Sequence, residues 1–135
     1  MGYVNPLIET YPRDSEVDVK VVARCVQACH ECAQACTACA EACLSEPNVA
    51  ELVRCIRSDQ NCADLCVATA RVVSRHSDHG ANATRAVLEA CALVCAACGD
   101  ECETHAGMHE HCRIGAEACR RCELACRELL EAIGP

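Results

Sequence analysis

A chain of 135 residues with a formal net charge of −8 fits one domain with a buried core. That charge argues against a nucleic-acid partner, which needs a basic footprint, and no apolar run reaches the length expected of a membrane span. The hydrophobic fraction of 52% holds no Phe and no Trp, and Cys with Ala supplies more than half of it, so large rings cannot fill the interior.

Residues 1–15 contain Pro6 and Pro12 and read as an irregular, partly docked N-terminal arm. They show no basic stretch followed by an apolar one, so no secretory signal is expected, and the chain is assigned to the cytoplasm, where thiols stay reduced. A bundle domain is expected over 16–135. Its first long helix is predicted from about Glu16 to Leu44 and ends in the turn Ser45-Glu46-Pro47-Asn48. The second runs from about Val49 to Arg75, followed by a turn over His76 to Asn82 that contains Gly80. The third runs from about Ala83 to His105, with Gly107 marking its end, and the fourth from about Glu110 to Ala132. Short turns place neighbours antiparallel. The predicted fold is therefore all-α, an up-down-up-down four-helix bundle.

The seam of that bundle is thiol. Cys25, Cys29, Cys32, Cys36, Cys39 and Cys43 alternate steps of four and three, the spacing that normally carries Leu and Ile toward a core. The second helix adds Cys55, Cys62 and Cys66; the third adds Cys91, Cys95, Cys98 and Cys102; the fourth adds Cys112, Cys119, Cys122 and Cys126. Registering the helices predicts an end plugged by Val22, Val73, Leu88 and Leu129. Successive layers are then Cys25/Cys66/Cys91/Cys126, Cys29/Cys62/Cys95/Cys122, Cys32/Asp59/Cys98/Cys119, Cys36/Cys55/Cys102/Gly115 and Cys39/Leu52/His105/Cys112. Cys43, Met108 and His109 lie at the far end. All 17 cysteines enter this map, a sulfur-lined tube roughly 27 Å long at ~1.5 Å per residue.

Thiols three or four apart on one helix lie on one face, close enough to hold a metal between them. Soft thiolate selects Cu(I), which accepts two or three such ligands, whereas a structural zinc site wants four. Charge separates them further. Buried thiols must stay largely protonated, and each Cu(I) replaces one proton without changing the charge of the core, whereas each Zn(Cys)₄ site buries about two negative charges. Disulfides fit the odd cysteine count and the side-by-side Cβ vectors poorly. Iron–sulfur ligand runs usually lie in loops, and thioredoxin-like Cys-x-x-Cys chemistry needs a strand–helix context.

The end carrying His105, Met108, His109 and His111 beside Cys43, Cys102 and Cys112 is expected to be a relay for an incoming soft ion; an ordinary exposed histidine-rich turn is the alternative. His30 should face solvent, and His76 and His79 sit at the plugged end with no expected metal role. Asp59 either faces the tube, where a metal would partner its carboxylate, or lies rotated to the edge. Gly115 leaves room for metal or for close helix approach.

The Cys25-to-Cys43 ladder, Cys91-x-x-x-Cys95-x-x-Cys98-x-x-x-Cys102, Cys119-x-x-Cys122-x-x-x-Cys126 and the stretch His105-Ala106-Gly107-Met108-His109-Glu110-His111-Cys112 together resemble the cytosolic branch of the copper storage proteins. The resemblance covers nearly the whole chain. It implies reversible storage of multiple Cu(I) ions per chain, exchange with a copper chaperone or acceptor protein, and a homotetramer. The chain is accordingly read as a binding protein and not an enzyme. A zinc or general soft-metal buffer is the rival reading, and a ferritin-like oxidase would require inward Glu and Glu-x-x-His ligands that the sequence does not present.

Overall fold

The computed structural model describes residues 2–12, 16–75 and 81–135. Its helices are α1 (Val4–Glu9), α2 (Val19–Leu44), α3 (Val53–Arg75), α4 (Ala81–His105) and α5 (Glu110–Ile133), with a 3-10 turn at Val49–Leu52 before α3. The four long helices α2 to α5 pack as an antiparallel bundle, each touching its two neighbours around the square. His76, His79 and most of the second predicted turn lie outside the described residues.

Local chemistry explains the boundaries. Asp18 caps α2 by accepting a hydrogen bond from the Lys20 backbone N–H at 2.9 Å. The arm carries the short helix α1, which tolerates Pro6 because the ring falls in the first turn, where no intrahelical donor is lost. α1 lays Ile8 against α2 as part of the core. Gly134 caps α5 at φ 80°, a left-handed conformation that favours glycine, and its carbonyl accepts from Arg85 of α4 at 2.5 Å.

Alanine makes the thiol seam workable. Ala28, Ala33, Ala40, Ala63, Ala70, Ala92 and Ala116 are buried beside the cysteines, supplying the helix propensity that Cys lacks and letting the backbones approach. The plug forms as the spacing predicts, with Val22, Val73, Leu88 and Leu129 all at 2% exposure or less. By length and composition alone α4 is apolar enough to cross a membrane over Asn82–His105, contrary to the expectation that no segment would qualify. Much of that apolar character belongs to Cys91, Cys95, Cys98 and Cys102, which are fully buried inside the bundle.

Outside the core, Arg120 of α5 ties back to α4 through Asp100 at 2.6 Å, Glu103 at 2.9 Å and the Ala96 carbonyl at 3.2 Å. Gly99 makes the space for this guanidinium, since a Cβ there would stand 2.9 Å from it. Arg24 pairs with Glu128 and Arg121 with Glu31, joining α2 to α5. These pairs are solvent-facing and each contributes no more than about 1 kcal/mol. Burial of the seam holds the bundle.

Candidate metal centre

All 17 cysteines are buried and unpaired as free thiols. Their sulfurs stand in van der Waals or weak hydrogen-bond contact along the axis of the bundle. Representative Sγ–Sγ distances are 3.5 Å for Cys36–Cys119, 3.7 Å for Cys32–Cys62, Cys62–Cys95 and Cys29–Cys122, and 4.0 Å for Cys25–Cys126. Three sulfurs around one metal at ~2.3 Å would stand about 4.0 Å apart, so little sulfur movement is needed to close three-coordinate sites. Sets of four donors lie with their ligand atoms within 4.8 Å of one another: Cys29/Cys91/Cys122/Cys126, Cys32/Cys66/Cys95/Cys122, Cys32/Cys36/Cys62/Cys119, Cys39/Cys55/Asp59/Cys102 and Cys39/Cys43/His111/Cys112. Cys122, Cys32 and Cys39 each belong to at least two sets. The donors therefore form one overlapping column, not a row of isolated sites.

The layer map needs one correction. Cys66 contacts Cys91 at 3.9 Å but also Cys95 and Cys122 at 3.8 Å, and Cys62 contacts Cys32 and Cys119 as well as Cys95. The thiols of α3 thus sit between the layers of the other helices, as knobs entering holes must. The map also passes from Cys66 to Val73 in one step of seven, and the seam residue between them is Thr69. Thr69 is fully buried and its hydroxyl finds no hydrogen-bond partner among the described residues. The alternating three-and-four spacing marks it in the sequence.

Asp59 faces the tube and is fully buried, which removes the alternative that it turns to the edge. Its Oδ1 accepts from the Cys98 thiol at 3.2 Å and the Cys102 thiol at 3.4 Å, and its Oδ2 lies 3.9 Å from Cys55 Sγ. Loss of solvent, with the neighbouring Cys98, lifts its carboxyl to about 8. Burial likewise pushes the Cys43 thiol up to about 11 and raises Cys112. Deeper in, Cys66 and Cys126 are raised first by donating to Cys122, with burial adding to the effect. Gly115 lies beside this group, and a Cβ there would stand 3.5 Å from Cys39 Sγ and 3.6 Å from Cys102 Sγ, ordinary contact. Glycine there is not demanded by helix packing and leaves a methyl-sized space next to the thiols.

The histidine-rich end divides. His111 reaches the thiols, its Nδ1 3.6 Å from Cys39 and Cys112 Sγ and 3.9 Å from Cys43 Sγ. His109 stacks on it, with ring centroids 5.3 Å apart. His105 lies with its Nε2 3.8 Å from Glu101, and Met108 is 80% exposed, its thioether in solvent. His30 is exposed, as expected. Between His109 and His111 sits Glu46, a residue of the first turn that no sequence spacing singles out, because its partners lie more than sixty residues away. The bond from His111 holds the Glu46 carboxyl below the usual carboxylate range.

No curated protein sequence matches the chain at a significant level. Solved structures do. The copper storage protein Ccsp of Streptomyces lividans, in a form loaded with 10 copper equivalents, superposes with a TM-score of 0.93 at 66% identity, covering 96% of this chain and 98% of that one. A second structure, a cytosolic copper storage protein from Streptomyces lividans with five coppers, gives a TM-score of 0.83 at 68% identity over 85% of this chain and 96% of that one. The copper-free Csp3 of Bacillus subtilis gives 0.67 at 35% identity over 78% and 95%. The family model described as copper storage protein matches residues 18–131, the whole stretch from the cap of α2 to the last turn of α5. The chain belongs to the copper storage protein family.

Proposed function

We propose that this protein stores Cu(I) in the cytoplasm, holding multiple ions on its buried cysteine clusters and releasing them again. It is a metal store and not an enzyme. The observation that carries the reading is the column of thiol sets, which runs from Cys126 toward one end to Cys43 at the other. Charge favours a monovalent cargo. A Cu(I) that displaces one thiol proton leaves the buried column neutral, and proton release makes binding pH-dependent. The compartment is supported by the Streptomyces relative, described as cytosolic, and by thiols that function only when reduced.

Within the column, the seventeen cysteines are the ligands, Asp59 supplies an oxygen to the Cys39/Cys55/Cys102 set, and His111 completes the set at the mouth. His105, His109 and Met108 lie further out and serve ions before they reach the thiols. The assembly is taken as a homotetramer; the exposed Leu93 and Leu124 on α4 and α5, apolar side chains that a partner surface would cover, support self-association. Light scattering of the reduced protein tests the assembly.

Anaerobic titration of reduced protein with Cu(I), followed by equilibrium dialysis, tests storage. On the order of one ion per thiol should bind, with proton release. Zn(II) should bind fewer equivalents and be displaced by Cu(I). Saturation at one or two Cu(I) per chain would overturn the proposal.

A further inference from the structure

The mouth of the bundle is organised by a residue that is neither thiol nor imidazole. Glu46 lies in the turn after α2, and its Oε2 stands 2.9 Å from His109 Nδ1 and 2.9 Å from His111 Nε2. An ionised carboxylate only accepts hydrogen bonds, so both ring nitrogens facing it are N–H donors. In their neutral forms the two histidines are thereby set in opposite tautomers. His111 carries its proton on Nε2, which turns the lone pair of Nδ1 toward Cys39, Cys43 and Cys112 at 3.6–3.9 Å. His109 carries its proton on Nδ1, leaving Nε2 as an acceptor beside the Asn48 amide at 3.4 Å. Asn48 is itself held by Glu51 at 3.0 Å.

Backbone geometry shows how two residues so close in sequence share one carboxylate. Residues i and i+2 on a helix point in different directions. His109 escapes this because it is the N-cap of α5 with extended backbone, φ −134° and ψ 116°, while His111 stands in the first helical turn. The rings stack at an interplanar angle of 24°, and the same Oε2 reaches both. The carboxylate comes from the connection on the opposite side of the mouth, so it also braces the α2–α3 turn against the start of α5.

We infer that Glu46 is the positioning residue of the copper-accepting mouth: it fixes the tautomer and aim of His111, and through His109 it sets a second unprotonated ring nitrogen, held by the Asn48 amide, one ring further from the thiols. This rests on the reading that the Cys39/Cys43/Cys112/His111 set takes Cu(I). When His111 Nδ1 meets a cation, its Nε2–H becomes a stronger donor, and the carboxylate that receives it stabilises the bound state. Loss of such an outer partner typically costs 10–100-fold in metal affinity or activity. No ligand is removed by substituting Glu46, so capacity should be untouched.

The test is anaerobic stopped-flow uptake of Cu(I) by full-length protein, wild type against Glu46→Ala, in two backgrounds: native, and His109→Ala/His111→Ala. Glu46→Ala should slow the first phase about 10-fold in the native background. It should change nothing where both imidazoles are gone, and within each background Glu46→Ala should leave the final equivalents unchanged. Nitrogen-15 NMR of the imidazoles gives a second readout. His109 should report Nδ1–H in the wild type and relax in Glu46→Ala to the Nε2–H form that free imidazole favours. Native uptake rates in Glu46→Ala, or equal slowing with and without the imidazoles, would overturn the inference. Failure of the wild type to bind multiple Cu(I) would instead overturn the storage reading itself, so the two are told apart.

Discussion

The two ends of the bundle are built on the same four helices with the same seam spacing, yet they do opposite things. At one end Val22, Val73, Leu88 and Leu129 close the core with aliphatic side chains, and Arg85 reaching the Gly134 carbonyl ties the chain's last residues across it. At the other, Cys39, Cys43 and Cys112 share their layer with His111, whose side chain is 25% exposed and hydrogen-bonded to Glu46. Ionisable groups follow the same gradient: Asp59 contacts thiols of the half nearer the mouth, and the Glu46–histidine cluster lies beyond it. The difference teaches that periodicity makes the tube, while the residue types at its two terminal layers decide which end packs and which end exchanges.

The largest pH-dependent effect should come from the ionisable half. Asp59 holds its proton up to about pH 8 in the folded apo protein, whereas in the unfolded chain it ionises from its ordinary value of 3.8. A folded pKa raised above the unfolded one gives stability that is fully present below pH 4 and is lost as pH rises toward 8. The slope is about 1.4 kcal/mol per pH unit. Urea unfolding of reduced, copper-free protein at pH 5 and at pH 7.5 should differ by about 3 kcal/mol from this group. Asp59→Asn should remove that difference. An unchanged pH dependence in Asp59→Asn would show that the carboxylate is solvated or charge-paired in the apo state.

The plugged end should respond through packing instead. Leu88 is fully buried, and Leu88→Ala should cost about 2–5 kcal/mol of apo stability while leaving the Cu(I) uptake rate as it was. The mouth should respond the other way. Replacing His105, His109 and His111 together by Ala should slow uptake about 10-fold or more, with final capacity near normal, because imidazole binds Cu(I) less tightly than thiolate and passes it inward. Faster loading in Leu88→Ala, with native loading in the triple histidine variant, would mean that the ends have been assigned in reverse.

Much of this was legible in the sequence because it is local. The three-and-four spacing from Cys25 to Cys43 requires only one helix to be read, and every cysteine it placed inward is buried. The plug follows from the same count. What escaped depends on relations between elements. The half-layer stagger of α3, seen where Cys66 touches both Cys91 and Cys95, comes from knobs of one helix entering holes of its neighbours, a property of pairs of helices. Glu46 escaped for the same reason: it becomes part of the mouth only when the α2–α3 turn and the start of α5 are brought to one end. The helix α1 escaped because Pro6 and Pro12 frame it as a broken segment, although Pro is acceptable in a first turn. Thr69 is different. Its position follows from the spacing of Cys66 and Val73, but a lone Thr carries none of the chemistry that marks the thiols on either side of the seam.

Thr69 therefore gives the smallest and sharpest test of the contrast between the ends. It occupies the seam between the last thiol of α3 and the plug, fully buried, with a hydroxyl that makes no hydrogen bond among the described residues. An unsatisfied buried hydroxyl costs about 1–3 kcal/mol, and Val replaces it with a methyl of similar shape. If the plugged end is built only for packing, Thr69→Val should stabilise the copper-free protein by about 1 kcal/mol, which at this chain length raises Tm by a few degrees. Copper retention against a competing chelator should then be the same in the variant and the wild type. If instead Thr69→Val is more stable without copper but surrenders its last ions faster, the hydroxyl has a partner in the loaded state that it lacks in the empty one. A thiolate of the terminal layer is the one acceptor chemistry that loading creates there. The plugged end would then also take part in holding the cargo, and the division between a packing end and an exchanging end would apply to entry of the ion but not to its storage.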